Sequence, residues 1–108
     1  RLTIEVTTPE LGGPEKITAY LLALADVTKM TRLAGPYIYS AHEMGWAGFI
    51  HWVTSGTSMY SYPATSEHPP FVTVECYTCK RFDKKEAVEF TRSFFAAMDV
   101  VSWEDIRE

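Results

Sequence analysis

Two cysteines in 108 residues, Cys76 and Cys79, are too few for a disulfide framework, and alone they cannot close a structural zinc site. Basic charge is also scarce. Ten Lys and Arg stand against fourteen Asp and Glu, a net charge of -4, and the basic residues are scattered, which excludes a surface that tracks nucleic-acid phosphates. No apolar run approaches the roughly 20 residues that span a bilayer, and residues 1–9 alternate like a strand instead of forming a signal peptide. Internal repeats and low-complexity segments are absent as well. These absences predict a cytoplasmic protein with neither nucleic acid nor membrane among its partners. The chain begins on Arg1, so its natural start is expected further upstream. What is present, 46% hydrophobic and 22% charged residues, suits one ordinary domain over 1–108 with a modest core.

Leu2, Ile4 and Val6 alternate with Thr3, Glu5 and Thr7, the period of a strand buried on one face. Gly12-Gly13 breaks it. Pro14 suits a first helical position, Glu15 suits the first turn, and the stripe Ile17, Tyr20, Leu21, Leu24 and Val27 predicts a helix ending near Leu33. Gly35-Pro36 is a turn signal, Tyr37, Ile38 and Tyr39 favour a strand, and 46–53 is a longer, more apolar strand after a break at Gly45. A further strand at 57–62 follows so closely that the chain is expected to bend at Ser55, with Gly56 supplying a conformation other residues resist. Residues 63–70, with three prolines, form a loop.

The segment 71–79 alternates as a strand, placing Val72, Val74 and Cys76 on one face and Thr73, Glu75, Tyr77 and Cys79 on the other. Asp83 is a helix N-cap with Glu86 as its capping-box partner, and Ala87, Phe90, Phe94 and Met98 follow at helical spacing. Val100, Val101 and Trp103 add a last short strand before a charged end. The order β-α-β-β-β-β-α-β predicts an α+β two-layer sandwich, a mostly antiparallel sheet with two helices on one face. Its other face would be open, and the apolar and aromatic residues of the middle strands predict self-association to a homodimer.

The chain is organised around 45–79. Gly45-x-x-Gly48 leads into an apolar run, then Ser55, then an alternating run ending in Tyr62-Pro63, and finally Glu75-Cys76-Tyr77-Thr78-Cys79. This order resembles the prokaryotic S-adenosylmethionine decarboxylases, small pyruvoyl enzymes of polyamine biosynthesis. Their corresponding segments read like ESHxSxHTWPE and DxFTCG. The resemblance implies that Ser55 is the position whose hydroxyl attacks the preceding carbonyl and becomes a pyruvoyl group. That group would form a Schiff base with the substrate amine and accept electrons as carbon dioxide departs, while Cys79 donates a proton. No external cofactor would be needed, and a dimer is implied too.

Around that serine the chain departs from the family. Ala47 stands where the family has a second serine, Thr54 replaces the glutamate, Gly56 and Tyr60 replace two histidines, and Ala64 replaces the glutamate after the proline. A phenol is a poor base near neutral pH, and the other replacements remove the remaining acids, bases and hydrogen-bonding groups. The expected protein is a diverged homologue that is not self-processed and acts as a ligand-binding or regulatory protein. Its partner would be a second copy or a catalytic paralogue, and its ligand an S-adenosyl compound or an amino acid. The alternative is an active pyruvoyl-dependent decarboxylase of S-adenosylmethionine or another amino acid, self-cleaved between Thr54 and Ser55, with Ser55 and Cys79 catalytic. A third reading, outside the family, is a small dimeric interaction domain.

Tyr60, Tyr62 and Glu75 are the candidate substrate-binding residues. Trp46 and Trp52 join the two tyrosines as possible adenine-stacking rings, although packing is the commoner role of such side chains. His42, His51 and His68 lack metal-ligand spacing, so no metal is expected. His42-Glu43 belongs either to a pocket near Ser55 or to an exposed strand end, and His68 to an exposed loop. Cys76 is expected to be a small buried apolar side chain, and not half of a redox pair, because strand residues three apart face opposite ways.

Overall fold

The computed structural model describes residues 1–104. The elements are β1 (Leu2–Thr7), α1 (Pro14–Val27), β2 (Arg32–Ser40), a single 3-10 turn (His42–Met44), β3 (Trp46–Trp52), β4 (Ser55–Tyr62), β5 (Phe71–Thr78), α2 (Lys84–Phe94) and β6 (Asp99–Glu104). The charged end expected after β6 lies at 105–108, outside the described residues. The sheet runs β2-β3-β4-β5-β1-β6, with every neighbouring pair antiparallel. Both helices pack on one face, giving the α+β sandwich that the element order predicts.

Four of the differences from the sequence expectation lie in α1, β2, α2 and the turn between β3 and β4. Helix α1 stops at Val27, not near Leu33, because the Thr28 hydroxyl turns back to the Leu24 carbonyl (2.7 Å) and Lys29 takes a left-handed φ of 58°. The Met30 N–H then closes the end on the Ala25 carbonyl at 2.9 Å. Gly35-Pro36 lies inside β2, where the pairing to β3 shifts register on either side of Ala34. An edge strand tolerates a proline that has no N–H to donate. Helix α2, capped by Asp83 accepting the Glu86 N–H at 3.0 Å, ends at Phe94. Ala96 is left-handed and the Met98 N–H donates to the Thr7 carbonyl, so Met98 leaves the helical stripe and is exposed, while Phe95 is buried.

The fourth difference bears on function. The chain reverses at Val53-Thr54, and Trp52 and Ser55 are cross-strand partners, so the serine opens β4 and does not form the bend. Gly56 sits within β4 opposite His51 and Tyr77. Its lack of a side chain answers crowding, since a Cβ there would come within 2.5 Å of the Ile50 carbonyl oxygen.

The core lies between sheet and helices. Leu2, Ile4 and Val6 of β1, Ile50 and Trp52 of β3, Met59 of β4 and Val72, Val74 and Cys76 of β5 meet Ile17, Tyr20, Leu21 and Leu24 of α1. Ala87 and Phe95 complete it. The opposite sheet face is uncovered, and of the twelve large apolar side chains exposed among the described residues, six point from it: Tyr37, Tyr39, Tyr60, Tyr77, Val101 and Trp103.

Two groups that can ionise are locked in the core. Tyr20 packs against Phe90, Phe94 and Phe95 and shares a 2.7 Å hydrogen bond with the Thr91 hydroxyl. Burial, and to a lesser degree the Cys76 thiol nearby, push its phenol far above the ordinary value. Burial also pushes Cys76 from 9.0 to about 11. Both groups are neutral when folded and ionise more readily once unfolded, so they stabilise the fold below their unfolded values and lose that contribution as pH rises. Thermal melts are therefore expected to show stability falling between pH 9 and about pH 11. Tyr20→Phe should flatten part of that slope, and a melting temperature independent of pH over the window would contradict the assignment.

Candidate functional site

Strand alternation decides which residues reach the open face. In the shared register Phe49, Ser58 and Glu75 form one row across β3, β4 and β5; His51, Gly56 and Tyr77 form the next, and Ala47, Tyr60 and Thr73 a third. All of these except Thr73 line a shallow hollow of about 720 Å³. Tyr39, Phe49, Tyr60 and Tyr77 wall it, and Ala47 and Gly56 leave its floor low. Its polar groups include His51, Ser58 and Glu75. The Glu75 carboxylate meets the Arg1 guanidinium at 3.2 Å, a partly exposed pair that solvent weakens.

The aromatic rings run in two series. Phe49 touches Tyr37, Tyr39 and His51 at centroid separations of 5.2, 6.2 and 5.1 Å. The second series runs Tyr60, Tyr62, Phe71 and His68, with successive separations of 5.8, 4.7 and 4.9 Å. Burial, with a smaller contribution from Tyr60, holds the Tyr62 phenol above its ordinary value. Aromatic walls beside a carboxylate, an imidazole, a guanidinium and several hydroxyls suit a flat, partly polar ligand.

The candidates read from sequence divide between places. Tyr60 and Glu75 line the hollow; Tyr62 stands outside it, within the second ring series. Trp52 is fully buried and Trp46 packs partly buried against the core, so neither is available for stacking on the open face. Ser55 borders the hollow, yet its hydroxyl belongs to the helix side: it shares strand parity with the buried Thr57, Met59 and Ser61. The Ser55 Oγ is buried and has no hydrogen-bond partner among the described residues. Its neighbour Thr54 is engaged elsewhere, with the Thr78 hydroxyl at 3.3 Å and the Met30 sulfur at 3.6 Å. Tyr60 points from the other face.

Cys79 is also displaced from its expected position. Strand β5 ends at Thr78, whose hydroxyl accepts the Lys80 N–H at 3.0 Å, so Cys79 does not continue the face of Glu75 and Tyr77. It is exposed and lines a separate, smaller hollow with Lys80, Arg81 and Phe82. Cys76 is buried, with the Thr57 hydroxyl donating to its sulfur at 3.4 Å. His42 and Glu43 lie beside the Trp46 end of the β3–β4 pair, the end opposite Ser55. His68 joins Glu5, Phe71 and Asp99 around another hollow. Among the described residues no group of three or more His, Cys, Asp or Glu is arranged to hold a metal ion.

Sequence reasoning missed Tyr39, Phe49, His51 and Ser58 as parts of one site. Alternation within β3 already placed Phe49 and His51 opposite Ile50 and Trp52. Only the pairing of β2 through β5 shows that they share a hollow with Ser58 and Glu75.

A model of the S-adenosylmethionine decarboxylase family matches residues 3–108. The chain belongs to this family. Among solved structures, the adenosylmethionine decarboxylase from Aquifex aeolicus is similar in fold, with a TM-score of 0.71 at 11% sequence identity, over 94% of this chain and 83% of that one. No curated protein matches the chain in sequence. No helix among the described residues is long and apolar enough to cross a membrane.

The two thiols should behave differently. A thiol reagent applied to the native protein is expected to modify Cys79 and spare Cys76 until the chain is denatured, as read by peptide mass. Equal rates at both positions would contradict the packing of β5.

Proposed function

We propose that this protein is a diverged S-adenosylmethionine decarboxylase homologue that keeps the Thr54-Ser55 bond intact and works by binding through its open sheet face. One observation carries the reading: the Ser55 Oγ is buried without a hydrogen-bond partner among the described residues. Attack on a neighbouring carbonyl needs a base for the hydroxyl proton and donors for the oxyanion. The substitutions at Ala47, Thr54, Gly56, Tyr60 and Ala64 have removed the family's groups for both tasks. The residues present therefore do not fit formation of a pyruvoyl group from Ser55.

The aromatic hollow supports binding as the retained role, with an S-adenosyl compound or an amino acid as ligand. The exposed rings support a second copy as the cover of the face. Pairing through the free edge of β6 is less favourable, because an antiparallel copy would set Asp99 against Glu104 at both ends of the strand.

The intact mass of the denatured protein tests the first part. A single species at 12.3 kDa plus any tag is expected; two fragments, one carrying a hydrazine-reactive carbonyl, would establish the active decarboxylase instead. Sedimentation tests the second part. A dimer is expected that Phe49→Asp converts to a folded monomer, and a wild-type protein monomeric at all concentrations would remove self-association from the reading.

A further inference from the structure

Beneath the β3–β4 hairpin two polar atoms stand without partners among the described residues, the indole Nε1 of Trp52 and the Oγ of Ser55. Trp52 is 1% exposed, and the two residues lie directly across from each other in the strand pairing, both on the helix side of the sheet. Neighbouring hydroxyls do not serve them. Thr57, two residues along the same strand face, donates to the Cys76 sulfur, and Thr54 is held between Thr78 and Met30.

A buried donor left unsatisfied is costly, and native proteins leave very few. The indole N–H can only donate, whereas a hydroxyl both donates and accepts. One water between them would accept from the indole and exchange a second hydrogen bond with the serine, the usual function of an internal water.

We propose that Trp52 and Ser55 form a buried water site that ties the β3–β4 hairpin to the core, with Ser55 serving as a positioning residue through that water. The inference rests on the reading that Ser55 remains a serine, and it gives the hydroxyl a structural occupation in place of the nucleophilic one.

A double-mutant cycle in thermal melts tests it, with Ser55→Ala, Trp52→Phe and the double variant. Each single change strands one partner of the water; the double change removes both, so its loss of melting temperature should be smaller than the sum of the two single losses. Simple additivity would overturn the proposal. A second measurement stands even if Trp52→Phe fails to fold. In the 15N-labelled wild type the Trp52 indole proton should show a cross-relaxation peak to a long-lived water, which Ser55→Ala weakens or abolishes. An indole proton with no such peak, or one unchanged by Ser55→Ala, overturns the water site. Intact mass measured on the same samples separates this failure from the failure of the parent reading, because only the latter yields two fragments.

Discussion

Register in the β3–β4 hairpin is the constraint on which the rest of the site depends. With the chain reversing at Val53-Thr54, Trp52 and Ser55 are opposed, and every alternate side chain from there is assigned to the core or to the open face. A slip of one residue in β4 would turn that strand over, exposing Met59 and burying Ser58 and Tyr60. The depth of the core on one side therefore fixes the hollow on the other. Gly56 is part of the same constraint, since the close approach of the Ile50 carbonyl leaves no space for a side chain there.

Within that frame the Ser55 hydroxyl and the Cys79 thiol fall away from the open face that carries the hollow. Ser55 faces inward among Thr57, Met59 and Ser61, and Cys79 lies past the end of β5 beside a basic stretch. The aromatic rings, His51, Ser58 and Glu75 face outward. Three of the positions at which the chain departs from the family pattern, Ala47, Gly56 and Tyr60, themselves line the hollow, so the departures shape its floor and one wall. A fold rests on many small contributions, whereas reaction machinery rests on a few groups acting together.

Much of the fold was legible before any coordinates. The alternation of Leu2, Ile4 and Val6, the stripe from Ile17 to Leu24 and the Asp83 cap each describe a local preference that tertiary packing did not override. The element order led to the two-layer class, and the spacing from Gly45 to Cys79 led to the family. Legibility was poorest at element ends. Thr28 and Lys29 end α1 through a hydroxyl back-bond and a left-handed residue, neither of which interrupts the apolar period. Met98 had the right spacing for α2 and still left it, because its N–H pairs with the Thr7 carbonyl of a strand far away in sequence.

The sequence by itself determined most of the elements and the family frame, because these depend on local periodicity and on which side chains are present. Only the tertiary structure decided that Ser55 faces the core, that Cys79 lies beyond β5, and that Tyr39, Phe49, His51, Ser58 and Glu75 meet in one hollow. The reason is geometric. Those residues come from four strands, and pairing register, set by burial of the opposite face and by a two-residue turn, is a relation between segments that no single segment carries.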